Sequence, residues 1–203
     1  EDAIPALEDQ LSSGDVFLRS ECMVALVRMR YQPAYAKIAR IFRKTSNPRL
    51  VIHGGEALRR IASPKALRAL IGKAESIHGK LPYKVSEEII TYIAELLGLG
   101  NHFYNFTKSM NISPEEEKLE LLTDMLSHLA PTEPPAELIS AIIAYYTGKE
   151  NNAKIVEYVR AKLPKSGNPQ LLAIRDFLKD KNELSNDMLL FCFLGACRVH
   201  GLI

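Results

Sequence analysis

The sequence has no tryptophan, only three cysteines and no long apolar run. Three cysteines are too few for a disulfide framework, and each lies in an apolar stretch with helical spacing, which is typical of buried free thiols. The longest apolar run, residues 188–197, reaches about half of a membrane span. We therefore predict no disulfide scaffold and no membrane span in this sequence, and we expect a cytoplasmic location. A signal or anchor before residue 1 is left open.

Residue patterns that carry catalysis or metal binding are also missing. The five histidines are scattered, without a His-x-x-x-His or Glu-x-x-His pair, and Cys192 and Cys197 are too far apart for a Cys-x-x-Cys site. The run Glu115–Glu117 fits the acidic first turn of a helix better than a metal site. His53-Gly54-Gly55 shares letters with an esterase oxyanion loop but lies inside a predicted helix. We expect no catalytic residue, no metal and no cofactor.

Apolar residues recur at three- and four-residue steps along the whole chain, whereas period-two runs of β-branched and aromatic residues are absent. This periodicity predicts an all-α fold of about eleven helices. Breaks are expected at glycines and prolines, with the main discontinuity at 79–84. In the second half of the chain, the predicted helices span 86–98, 101–110, 114–129, 135–147, 152–163, 169–180 and 185–199.

The first part of the chain repeats itself at an offset of 32 residues. Residues 15–29 align with residues 47–61, so that Asp15 matches Asn47, Leu18 matches Leu50 and the pair Ala25-Leu26 matches Ala57-Leu58. Asp and Asn are good N-cap residues, and the matched apolar residues form one stripe on a helix. A turn containing proline and a second apolar helix follow each copy. The pattern predicts two stacked helix pairs.

These residues resemble the HEAT-like repeat of the phycobilin-lyase type, over residues 1–74. The step Leu18-Arg19 fits the Val-Arg of that repeat, and both 66–70 and 3–7 fit its second helix. The resemblance implies an α-α superhelix, or solenoid, with a truncated first repeat. It predicts regular repeats over 1–78 and divergent helical repeats of the same solenoid over 85–203. It also brings in two enzyme alternatives, a bilin lyase and a DNA glycosylase. The missing tryptophan counts against the glycosylase.

Charge is segregated along the chain, with fifteen Lys or Arg against three Glu in residues 16–84, and three Lys against eleven Asp or Glu in residues 85–150. The basic part predicts a ridge that would bind an acidic or nucleic-acid partner. A second interpretation is that most of these cations only complement helix dipoles, because they lie in last turns. The candidate residues of this basic ridge are Arg28, Arg30, Arg40, Arg43, Lys44, Arg59, Arg60, Arg68 and Lys73.

Repeat surfaces without catalytic residues favour a non-enzymatic protein-interaction or scaffold module of a larger protein. Its partner would be another protein, and the alternative is an anionic or nucleic-acid ligand on the basic ridge. Phe103, Tyr104 and Phe106 are the candidate wall of a peptide groove, although core packing is the more ordinary role for such residues.

The predicted helices at both ends of the chain carry apolar faces that are expected to pack against another surface. The helix over 3–11 lacks a preceding helix, so its residues Ile4, Leu7 and Leu11 are expected to be partly exposed. The C-terminal helix, 188–199, is apolar on every side, which predicts burial all round. It is either tucked into the second half of the chain or covered by a partner copy in a two-fold dimer.

Overall fold

The computed structural model describes residues 3–203, which form twelve α-helices and two short 3-10 turns, with no β-strand among them. The helices are α1 (Ile4–Gln10), α2 (Val16–Arg28), α3 (Tyr35–Lys44), α4 (Pro48–Ile61), α5 (Pro64–Ile77), α6 (Tyr83–Leu96), α7 (Gly100–Ile112), α8 (Glu115–His128), α9 (Ala136–Tyr146), α10 (Ala153–Lys162), α11 (Pro169–Leu178) and α12 (Asp187–Val199). The all-α prediction is confirmed, the helix count is close to that expected, and the arrangement is compatible with an α-α solenoid.

The chain divides into two compact units, Glu1–Tyr92 and Ile93–Ile203, and the division falls inside α6. In the first unit α2 lies against α4, while α3 packs on both α4 and α5. The first unit is therefore two layers thick, with α2 and α4 in one layer and α3 and α5 in the other.

The 32-residue offset is visible in the backbone of the first unit. The side chain of Asp15 accepts hydrogen bonds from two N–H groups at the start of α2, and Asn47 does the same for α4. Just after these helices, Arg30 and Ala62 adopt a left-handed backbone, with φ of 56° and 52°. They are the two non-glycine residues with positive φ among residues 3–203. Matching caps at both ends mean that α2 and α4 are built to the same local plan.

Helix α4 lies very close to its neighbours because it carries two adjacent glycines. A Cβ added at Gly54 would lie 2.9 Å from Met23 Cε on α2 and 2.9 Å from Phe42 Cδ2 on α3. A Cβ added at Gly55 would lie 2.5 Å from Ile89 Cδ1 on α6. At distances this short a side chain could be added only if these neighbours shifted, so close packing favours glycine at both positions.

Helix α12 is buried at the centre of the second unit, where it contacts α7, α8, α10 and α11. The rings of Phe191 and Phe106 meet edge to face at 6.2 Å, and Phe193 meets Phe177 at 6.4 Å. Burial raises the pKa of the Cys197 thiol to about 12. The prediction that this helix is tucked into its own chain is confirmed.

A dimer through 188–199 is not needed to bury this helix, because its apolar surface is already covered by the same chain. Even Arg198 is buried, and its Nε donates to the carbonyl of Leu126 at 3.0 Å. A second guanidinium N–H donates to the carbonyl of Thr132. This side chain thus satisfies carbonyl groups at and beyond the end of α8.

Helix α1 is more covered than predicted at one of its three apolar positions. Ile4 and Leu7 are half-buried, as expected, whereas Leu11 is buried in a core shared with α2, α3 and α4. Glu1 and Asp2, which open the predicted repeat region, lie outside the described residues. Within 3–203, none of the helices has the length and apolar character needed to cross a membrane.

Candidate functional site

Three of the four exposed large apolar side chains in the described part of the first unit lie on α2 and the residue after it. Phe17 is 62% exposed, Leu18 40% and Met29 43%. Leu18 and Met29 are apolar in the predicted helical stripe, so they were expected to face a core. We call the surface formed by Phe17, Leu18, Ala25 and Met29 the α2 face.

A depression of about 480 Å³ lies beside the α2 face. Apolar side chains of α1 and α2 form most of its surface, and charged side chains of α2 and α4 stand at its edge. The lining residues are Leu7, Leu18, Glu21, Cys22, Val24, Ala25, Arg28, Met29, His53 and Glu56. Burial raises the pKa of the Cys22 thiol, so this cysteine stays a neutral packing group.

The position equivalent to Leu18 on α4 has the opposite environment. Leu50, at the 32-residue offset, is 3% exposed and packs in a core with residues of α2. Its neighbour Arg49 donates to Ser20 Oγ at 2.8 Å and to Glu21 Oε1 at 2.7 Å. The α2 surface equivalent to the one by which α4 packs on α2 is therefore open at Leu18, although its central residue Cys22 is only 2% exposed.

Charges along the edge of the α2 face are paired with one another. The Arg49 guanidinium lies 3.9 Å from the centre of the Phe17 ring, and His53 Nδ1 lies 3.8 Å from Glu21 Oε1. With the Arg49–Glu21 pair, these contacts form a short network across α2 and α4. The Arg49 guanidinium, which contacts the exposed Phe17 ring, is thus paired with the Glu21 carboxylate.

Arg28 and Arg60, the repeat-equivalent residues of the predicted basic ridge, lie beside the same carboxylate. Arg60 Nε lies 3.0 Å from Glu56 Oε1, and Arg28 Nη2 lies 3.5 Å from the same oxygen. Arg59 stands over the Tyr92 ring at 5.6 Å. Burial, followed by the nearby carboxylates of Glu88 and Glu56, raises the pKa of Tyr92. Glu56 therefore offsets one of the two positive charges of Arg28 and Arg60, and the pair keeps a net positive charge.

Lys73 was wrongly placed on the basic ridge, because it is only 6% exposed. Its ammonium donates to the carbonyls of Arg43 at 2.8 Å and Thr45 at 2.9 Å, at the end of α3. Burial lowers the pKa of Lys73. The side chain ties α5 to the last turn of α3, and no signal in the sequence distinguished it from an exposed lysine.

The remaining candidates of the basic ridge are exposed, namely Arg30, Arg40, Arg43, Lys44 and Arg68. Four of them lie on α3 and α5, away from the α2–α4 layer. A groove of about 500 Å³ lies in this second layer, and Arg43 is the one lining residue that belongs to the predicted basic ridge. The lining residues are Tyr35, Ala36, Ala39, Arg43, Leu58, Ile61, Ser63, Lys65 and Ala66. We call it the α3–α5 groove.

The predicted peptide groove in the second unit is mostly core. Phe103 and Phe106 are buried, with ring centres 5.5 Å apart, and only Tyr104 is exposed. Phe103 and Phe106 are three residues apart and share the inward face of α7, whereas Tyr104, one residue after Phe103, lies on a different face. Phe103 and Phe106 are therefore not available to a peptide, which corrects the prediction.

Comparison of this chain with protein-family models, with curated proteins and with solved structures gives no match. Among residues 3–203, no group of three or more His, Cys, Asp or Glu side chains is placed to hold a metal ion. The first unit thus offers two candidate binding surfaces, an apolar face on α2 and a cationic groove between α3 and α5.

Proposed function

We propose that this chain is a HEAT-like, non-enzymatic protein-interaction module, and that the α2 face binds an α-helix of a partner protein. The observation that carries the proposal is the different exposure of Leu18 and Leu50 at equivalent positions of α2 and α4. Exposed apolar groups that cluster beside a depression are typical of protein interaction sites.

The repeat supports a helix as the occupant. Helix α4 presents Leu50, Gly54 and Ala57 to a core that it shares with α2. The same positions on α2 are Leu18, Cys22 and Ala25. A partner helix placed against these residues would pack on α2 in the same way as α2 packs on α4. It would bury Leu18 and Met29. In repeat proteins each unit packs on its neighbours in this way.

Charge pairing disfavours the α2–α4 layer as an anion-binding surface. Arg28 and Arg60 share Glu56, and Arg49 is paired with Glu21. A phosphate backbone gains most from cations that have no carboxylate partner. An apolar face whose edge arginines have carboxylate partners suits the centre and rim of a protein–protein interface.

The proposal is tested by placing a photo-reactive phenylalanine analogue at position 18 and, as the matched control, at the exposed Lys179. We expect a protein cross-link from position 18 in extracts of the source cells, and none from position 179. Adding Met29→Glu should abolish the cross-link because it puts a charge into the apolar interface. Equal cross-linking at both positions would contradict the proposal.

A salt series separates a protein partner from a nucleic-acid partner. Binding to a labelled DNA or RNA duplex should fall steeply with salt, since binding releases counterions. The cross-link at position 18 should change little over the same range, because apolar contacts carry it. Nucleic-acid binding that is tight at physiological salt and is lost in Arg28→Ala/Arg60→Ala would favour the alternative function.

A further inference from the structure

The α3–α5 groove combines an apolar floor with unpaired cations on opposite walls. Ala36 and Ala39 on α3 have small side chains, which leave the space of about 500 Å³ open between the helices. The buried Leu58 and the half-buried Ile61 of α4 form part of the floor. A bulky apolar side chain from a ligand would fill this space and be removed from water.

Arg43 on the α3 side and Lys65 on the α5 side give the groove its charge. Its lining contains no Asp or Glu. Arg40 and Lys44 are exposed on α3 close to Arg43. Within the described part of the chain, none of these four cations has an ion-pair partner within 4.0 Å. This differs from the α2 face, where the arginines are paired.

Interaction with the helix dipole explains the positions of some of these cations but not of all of them. Arg43 and Lys44 lie in the last turn of α3, where a positive charge complements the helix dipole. Lys65 follows Pro64 in the first turn of α5, where the dipole disfavours a cation. The position of Lys65 therefore costs helix stability, and a negatively charged ligand opposite it would offset that cost.

We propose that the α3–α5 groove binds a short acidic segment of another protein, one that carries bulky apolar side chains between Asp or Glu residues. The apolar side chains occupy the floor over Ala36 and Ala39, and the carboxylates meet Arg43 and Lys65. A phosphodiester backbone would satisfy the cations but would leave the apolar floor exposed to water. This second surface lies in the other helix layer from the α2 face and goes beyond the function proposed above.

The test uses the whole chain, labelled with ¹⁵N, and a short peptide of Leu and Glu with helical spacing. Two control peptides replace either all Glu by Lys or all Leu by Ser, and a single-stranded DNA of similar length tests nucleic acid. We expect shifts of the amide signals of residues 35–43 and 58–66 with the Leu–Glu peptide only. Arg43→Glu/Lys65→Glu should weaken its binding about tenfold or more.

Two further variants separate groove binding from general charge attraction. Ala39→Leu fills the floor without changing the charge and should also weaken binding, whereas Lys149→Glu/Lys179→Glu in the second unit should leave it unchanged. Equal binding of the Leu–Glu and Ser–Glu peptides, or preferential binding of DNA, would overturn the proposal, as would peptide-induced shifts that lie outside the groove. We expect the photo-cross-link at position 18 to be unchanged in these variants, because the α2 face lies in the other helix layer. A negative result in the groove would therefore not contradict the function proposed for the α2 face.

Discussion

Helices α2 and α4 have matching sequences, matching N-caps and matching left-handed residues after their C-termini, yet they differ in what covers them. Helix α4 is packed against α2, α3, α5 and the α6 residue Ile89. Helix α2 is packed against α1 and α4 and leaves Leu18 and Met29 exposed. The same stripe is therefore buried at Leu50, Ala57 and Leu58 of α4, whereas on α2 its two ends, Leu18 and Met29, stay exposed. A repeat pattern thus specifies which side of a helix can be buried. The helices that pack beside it decide whether that side is buried.

The largest expected difference is between truncating Leu50 and truncating Leu18. Leu50→Ala should lower the free energy of unfolding by about 2–4 kcal/mol, because it removes buried methyl groups and leaves a cavity. Leu18→Ala should change it by less than about 0.5 kcal/mol, as is usual for an exposed position. Urea denaturation followed by circular dichroism measures both. Equal losses would mean that the α2 face is covered in solution.

The second contrast is between the small residues Gly54 and Cys22 at equivalent positions. Gly54→Cys gives α4 the residue of α2, and we expect a loss of about 1–2 kcal/mol because Met23 and Phe42 occupy the space. Gly72 on α5 has no atom within 4 Å of an added Cβ, so Gly72→Cys is the matched control. It should be neutral or slightly stabilising, through better helix propensity. A neutral Gly54→Cys would show that α4 can move away from its neighbours.

A smaller effect on stability is expected at Arg30 and Ala62, the left-handed residues that follow α2 and α4. Arg30→Gly and Ala62→Gly should each stabilise the chain by about 0.5–1 kcal/mol, because glycine accepts a left-handed backbone without the Cβ clash. Ala36→Gly on α3 serves as the control and should destabilise by about 1 kcal/mol, since its helical backbone gains nothing from glycine. Thermal unfolding of the three variants gives the comparison. Opposite signs for positions 30 and 62 would show that the two turns are not equivalent.

The smallest effect on stability is expected at the shared carboxylate. Glu56→Gln should cost less than about 1 kcal/mol, because exposed ion pairs contribute little. It should raise the affinity for a short DNA duplex at low salt, since Arg28 and Arg60 lose the group that neutralises them. Glu116→Gln in the first turn of α8 makes the same charge change as a control. Unchanged DNA binding in Glu56→Gln would show that Arg28 and Arg60 do not form an anion site even without the Glu56 carboxylate beside them.

The helices could be predicted from the sequence because their signals are local. N-caps such as Asp15 and Asn47, prolines at first turns, and apolar residues at helical spacing act within one or two turns. The burial of α12 was predictable for the same reason, since a helix that is apolar on every side needs cover on every side. The 32-residue offset also predicted that Arg28 and Arg60 share one ridge.

Only the tertiary structure decided which residues distant in sequence form hydrogen bonds and ion pairs with one another. Nothing near Lys73 in the sequence indicates that its ammonium reaches the end of α3, and nothing near Arg28 indicates that Glu56 neutralises it. The α3–α5 groove likewise arises because Ala36 and Ala39 come to lie opposite the start of α5. A sequence records the type and spacing of side chains along one helix. The charge and exposure of a surface depend on which other helices approach it, and that is a property of the packed chain.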